Sequence, residues 1–279
     1  MNIKDRLLCC AAASFATVNV ASAGDNEPIV GPEPVEYVRV CDTYGSGFFY
    51  IPGTETCLKV SGYVRYDAAA GDNAYTGANI GPNRNDTWFK RSRGELRFDA
   101  RSETELGTLR SFAQTRFQFT NGASDSALLP YGFIELGGFR VGASDSIFGS
   151  WTDYAGNVIR DDVINYQSGM SNQISYTYKA GGGFSAIIAA EQGQNGSSAL
   201  GGNYLIRDYM PHVLVGAKYE SGGNKLAGVI GYDSNVDDVA AKLRLDVKLT
   251  DKISIFAMGG YQTDYNHGTF NPNESNSYG

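Results

Sequence analysis

Histidine is nearly missing from this sequence: only His212 and His267 are present, beside two tryptophans and four cysteines. Two histidines without a third ligand nearby do not make a zinc site. They also leave little from which to build a hydrolytic triad, which needs a His within reach of a nucleophile and a carboxylate. His212 shares parity with Lys218 on a strand and reads as wall lining. No C-x-x-C spacing occurs, which removes that form of redox chemistry. Gly181–Gly183 opens no helix and is not followed by Lys and Ser or Thr, so it is a turn, not a phosphate loop. The formal net charge of −7 argues against a nucleic-acid surface. No catalytic residue, metal ligand or cofactor is expected.

Long hydrophobic runs are also scarce. A spanning helix needs about 20 apolar residues, and no such run follows residue 23. The start of the chain is different. Lys4 and Arg6 precede an apolar, small-residue run from Leu7 to Val20, and Ala21-Ser22-Ala23 follows. This order of charge, short apolar core and A-x-A site predicts a secretory signal over residues 1–23. Cys9 and Cys10 stand before the apolar run, where a lipoprotein acceptor does not belong. A cut after Ala23 leaves 256 of the 279 residues and takes the formal charge from −7 to −8.

Only Cys41 and Cys57 survive that cut. In an exported protein two cysteines are expected to pair, here closing a loop over Asp42–Thr56, with two free thiols as the alternative. Residues 24–57 are read as an extended, Pro-rich and acidic lead joined to this disulfide loop.

What the chain does have is glycine (35) and tyrosine (18), a balance that favours strands and turns. Its strongest pattern is Trp88–Arg101. Arg91, Arg93, Glu95, Arg97, Asp99 and Arg101 share one parity, while Trp88, Leu96, Phe98 and Ala100 share the other. Alternate side chains of a strand point to opposite faces, so one face is charged and the other apolar. The pattern recurs in candidate strands at 58–67, 87–101, 108–120, 129–136, 139–143, 172–180, 184–192, 209–220, 225–234, 239–249 and 253–264. In 239–249, Val239, Ala241, Leu243, Leu245, Val247 and Leu249 alternate with Ala240, Lys242, Arg244, Asp246 and Lys248.

The connections sort themselves. Tight turns at 103–107, 137–138, 181–183, 221–224 and 250–252 interchange strictly with wider joins at 68–86, 121–128, 144–171, 193–208 and 235–238. Outer-membrane barrels have this alternation of short periplasmic turns and larger external loops. Strands of about 9–11 residues cross the hydrocarbon when tilted, and closing the sheet satisfies every backbone group there. A mean hydropathy of −0.27 agrees with strands of which only half faces lipid. The predicted fold class is all-β, a transmembrane antiparallel β-barrel over residues 58–279.

Four stretches carry a resemblance. Glu36–Tyr66 (E-Y-V-R-V-C-D-T-Y-G-S-G-F-F-Y-I-P-G-T-E-T-C-L-K-V-S-G-Y-V-R-Y) looks like the start of the mature alphaproteobacterial porins. Ser102–Arg110 with Ile134–Gly142, and Asp208–Tyr219, are similar to that family too. The likeness runs from about Glu36 to Tyr265. It implies sixteen strands, a homotrimer in outer-membrane lipid, and passive diffusion of ions and small hydrophilic solutes. It also implies a third external loop folded into the lumen, with acids facing a basic wall. Eleven strands are legible here, and the terminal N-P-N-E-S-N-S-Y-G reads as loop, so roughly five strands of the family's set are expected to be lacking. A natural twelve-stranded barrel, with one strand from Gly47–Ile51, is the alternative.

On this reading Arg65, Arg91, Arg93, Arg97, Arg110 and Arg116, with Lys242 and Arg244, line the wet face. Asp145, Asp153, Asp161 and Asp162, among Phe148, Trp151, Tyr154 and Tyr166, form the acidic loop. The acidic balance predicts mild cation preference. Two other readings stay open: a secreted β-rich binding or adhesion protein with no pore, and a barrel enzyme that would depend on His212.

Overall fold

The strand order follows from the alternation. The structure, a computed structural model, describes residues 39–72, 86–154, 169–193, 206, 209–235 and 237–263. The predicted signal and the acids Asp161 and Asp162 lie outside the described residues. Thirteen strands form one antiparallel sheet: β1 (Phe49–Tyr50), β2 (Cys57–Asp72), β3 (Asp86–Thr104), β4 (Gly107–Thr120), β5 (Ala123–Ser124), β6 (Leu128–Leu136), β7 (Phe139–Asp145), β8 (Met170–Lys179), β9 (Phe184–Glu191), β10 (His212–Ser221), β11 (Asn224–Asp233), β12 (Asp238–Lys248) and β13 (Ser254–Gln262). Each pairs with its sequence neighbours, except that β4 pairs with both β5 and β6. Among the described residues the sheet is open, since β13 pairs with β12 alone.

All eleven expected strands are present. The two others, β1 and β5, are two residues long and too short to span a bilayer. The Gly47–Ile51 stretch thus gives a short ladder, Phe49↔Leu58 and Tyr50↔Cys57, and not a full strand. The expected join at 68–86 is also narrower than the sequence suggested. β2 and β3 are 16 and 19 residues long because Ala68, Ala69 and Ala70 continue the ladder opposite Lys90, Phe89 and Trp88. Nothing in that alanine run breaks a strand, so the hairpin extends past the hydrocarbon band.

Tight turns close the other end. Gly137 and Gly138 have φ of 57° and 93°, and Gly222 and Gly223 have 59° and 85°. Two successive positive-φ residues suit the right-handed twist of a two-residue hairpin, and glycine adopts them without a Cβ clash.

Parity decides the faces. Val64, Tyr66, Trp88, Phe117, Ile174, Ile188, Leu243 and Ile255 are exposed on one side. Glu95, Gln114, Gln173, Glu191, His212, Lys242 and Arg244 are buried on the other. An apolar outer face with polar groups inside inverts a soluble protein and suits a bilayer. Ahead of the long strands, Cys41 and Cys57 form a disulfide with Cα atoms 6.0 Å apart. Its half-cystines pack with Phe48, and Tyr44 and Tyr50 lean on the cluster.

Candidate functional site: the inner face and its folded-in loop

On β2, β3 and β4 the odd–even rule places Arg65, Arg91, Arg93, Arg97, Arg110 and Arg116 on the inner face. Residues across the ladder are about 4.8 Å apart and same-face neighbours along a strand about 6.8 Å apart, a spacing that would make bare arginines repel. Carboxylates of the same wall resolve this. Asp67 accepts from Arg91 at 2.9 and 2.8 Å and from Arg65 at 3.2 Å. Glu95, whose side chain is fully buried, takes Arg97 at 2.5 and 3.0 Å on Oε1. Its Oε2 takes Arg116 at 3.2 and 3.0 Å and the Tyr63 hydroxyl at 3.1 Å. Asp99 bridges Arg101 and Arg110, which stand directly opposite each other in the ladder. Arg110 also reaches Glu135 at 2.9 Å, and Arg140 donates to Glu135 at 2.8 Å. Arg93 donates to Gln118 at 2.5 Å. The wall is therefore an ordered lattice of alternating sign, with arginines outnumbering acids.

Several of its members escaped sequence reasoning. Glu135 and Arg140 complete the row from the inward positions of the short strands β6 and β7, whose few residues carry little parity signal. Phe112 and Phe133 also face inward, stacked with centroids 5.2 Å apart. The Arg110 guanidinium lies 4.9 Å from the Phe112 ring and that of Arg140 4.7 Å from the Phe133 ring, so the aromatics serve as platforms that hold the cations along the wall.

The opposite wall, β9–β12, is built differently. After β7 the chain turns inward at Ser146, whose side chain caps a single helical turn, Ile147–Ser150, by accepting from the Phe148 amide at 3.3 Å. Ile147, Phe148 and Trp151 then pack against inward-facing Ile187, Ala189, Leu214, Val229 and Ala240. Glu191 holds the turn by accepting from the Ile147 amide at 2.7 Å. Lys218 lies 4.6 Å from the Trp151 ring, and Lys242 lies 4.5 Å from the Phe148 ring. Arg244 donates to the Tyr154 carbonyl at 2.6 Å and pairs with Asp246 at 2.7 Å.

Two of the four loop acids can be located. Asp145 accepts from the hydroxyls of Tyr131 at 2.6 Å and Tyr154 at 2.5 Å. Burial, together with that bond to Asp145, pushes the Tyr154 phenol well above its ordinary value. Asp153 pairs with Lys225 of β11, which also reaches Asp246 at 3.2 Å. Outside the sheet, Tyr44 donates to Glu103 at 2.5 Å, and burial and that bond raise its pKa to about 12. Among the described residues no group of His, Cys, Asp and Glu is arranged to hold a metal ion. The buried His212 lies 3.3 Å from Asp233 and makes a weak contact with Ser234 through the same Nδ1, so the three do not form a relay.

Comparison with known proteins fits this geometry. The profile of a family described as "Porin subfamily" matches residues 28–277. Porin Omp2b of Brucella canis is 46% identical over 287 residues, covering 96% of this chain and 77% of that protein. Porin Omp2b of Brucella neotomae is 47% identical over 278 residues, covering 94% and 75%. Among solved structures, the outer membrane channel DcaP of Acinetobacter baumannii aligns with a TM-score of 0.56 at 18% identity. That alignment covers 74% of this chain and 64% of the channel's length, and it supports the fold. With a two-faced antiparallel sheet, a family match over nearly its whole length and close relatives of the same kind, the chain belongs to the porin subfamily of outer-membrane β-barrel proteins.

Proposed function

We propose that this chain, exported by residues 1–23, forms a water-filled channel through which ions and small hydrophilic solutes diffuse passively. The observation that carries this reading is the loop Ser146–Tyr154 folded onto the inner face of a sheet whose outer face is apolar. A soluble sheet buries its apolar face and leaves loops outside, whereas this one narrows a polar interior. Such a channel performs no bond chemistry, and solute choice rests on width and wall charge.

In this reading the cations Arg65, Arg91, Arg93, Arg97, Arg110 and Arg116 form one side of the lumen, and Lys242 and Arg244 support the loop on the other. Asp145, Asp153, Asp161 and Asp162 supply the loop's negative charge. Carboxylates of the same wall offset part of the arginine charge and weaken the transverse field, and the mature acidic balance leaves a mild cation preference. Charges farther than about 8–10 Å are screened at ordinary salt, so groups beside the narrowest point decide. A homotrimer in outer-membrane lipid is the assembly the family implies.

Planar-bilayer recording of the chain folded in detergent tests this reading. Stepwise conductance with a zero-current potential of cation sign in a salt gradient is expected. Absence of steps from a folded, membrane-inserted chain would overturn the channel, and an anion-sign potential would overturn the selectivity.

A further inference from the structure

Beneath the folded-in loop, toward the short turns, the inner face holds a cavity of about 860 Å³. This size suits a small organic solute, since such sites span about 300–1,000 Å³. It is bounded by the Gly137–Gly138 turn on one side and by Ile147, Ser150 and Trp151 on the other. Arg101, Arg110 and Arg140 reach it from β3, β4 and β7, and Lys179 from the end of β8. Arg101 and Arg110 are ladder partners, Arg110 faces Glu135, and Glu135 faces Arg140, so these groups form one row across the wall.

Charge in this row is not balanced. Among the described residues Glu135 is the one carboxylate lining the cavity, and Asp99 stands beside it as partner to Arg101 and Arg110. The four cations therefore exceed the acids they meet. Arg101 gives Nε and Nη2 to Asp99, which leaves Nη1 without a hydrogen-bond partner among the described residues. Facing this cationic side is an apolar one, where Trp151 and Ile187 close the cavity.

We propose that this cavity is a solute-binding subsite for small carboxylates with a flat apolar body, the carboxylate on the Arg101–Arg140 row and the body against Trp151. A guanidinium binds a planar carboxylate through paired N–H donors, and the part of the indole left exposed at the cavity supplies an apolar contact. A solute crossing the lumen would pause there, so the subsite favours such anions in a channel that otherwise discriminates weakly. The inference rests on the reading that this face is the wet one, but it does not require the chain to conduct.

Trp151 is its own reporter. Replacing Trp88, the other tryptophan, which is 61% exposed on the apolar face, by Phe leaves a single indole at the cavity. The folded W88F protein in detergent is titrated with 4-nitrobenzoate and, separately, with neutral 4-nitrobenzamide. Saturable quenching by the acid and merely linear quenching by the amide are expected. R101Q and R140Q should each weaken the acid's binding about tenfold, as loss of a charge-assisted hydrogen bond does, while K252Q in an exposed turn should not. Equal, linear quenching by both probes, or unchanged binding in folded R101Q and R140Q, would overturn the proposal. Should those variants not fold, the parent protein at raised salt decides. Weakened binding of the acid supports the site, and unaltered binding refutes it. A chain that conducts without binding loses only this subsite, and one that binds without conducting loses only the channel.

Discussion

The two inner walls obey the same alternation and reach opposite solutions. On β2–β7 the inward positions are dominated by arginines and carboxylates bonded to one another. On β9–β12 they include Ile187, Ala189, Leu214, Val229 and Ala240, and the loop covers them. An inward apolar side chain in a wet barrel loses free energy unless something removes it from water, at roughly 25 cal/mol per Å². The loop does that, and in return the wall fixes where the channel narrows. In the proposed channel one wall sets charge, and the other sets width.

Making the walls alike should have the largest effect. Leu214 is fully buried beneath the loop, and Leu214→Asp puts an unpaired charge there, at about 4 kcal/mol or more. The loop is expected to detach, seen as rapid hydrogen exchange over 146–152 and a larger conductance step. Retained protection would mean that the loop is held elsewhere. Trp151→Ala is next, at about 3 kcal/mol for a lost buried aromatic, with a lower denaturation midpoint in detergent and a smaller rise in conductance.

Glu95→Ala works on the other wall. Arg97 and Arg116 lose their shared partner, but both are partly hydrated, so the expected cost is about 1–2 kcal/mol. The zero-current potential should move toward anions while the loop's exchange stays as before, and faster exchange there would contradict the separation of the two walls. The smallest effect belongs to Asp153→Asn. Half-exposed Asp153 pairs with Lys225, and a change below about 1 kcal/mol is expected, checked by thermal melts at low and high salt.

The contrast also explains what was legible in the sequence. The arginine wall could be read because charge and grease alternate cleanly, as Arg97 beside Leu96 and Phe98 shows. Strand boundaries were nearly as clear, since glycine pairs such as Gly137–Gly138 mark turns. The covered wall was harder. In β11, inward Ala227 and Val229 alternate with outward Leu226, Gly228 and Ile230, and a stretch that is apolar on both faces has no parity to read. Nor could sequence reveal the partners of each acid. Asp145 bonds to tyrosines and Asp153 to a lysine, because those contacts depend on how the loop crosses the interior. The stacked pair Phe112 and Phe133 broke the polar-inside rule at two positions, and its role as a platform for Arg110 and Arg140 emerges only when four strands lie side by side.

Cysteine scanning from Arg93 to Asp99 in proteoliposomes tests the two-faced sheet most directly, using a water-soluble thiol reagent. The native cysteines leave little background, since Cys41 and Cys57 are bonded to each other. Labelling at 93, 95, 97 and 99 with protection at 94, 96 and 98 is the expected result. Labelling at every position, or at the even ones alone, would contradict a sheet that turns its arginines to water and its apolar face to lipid.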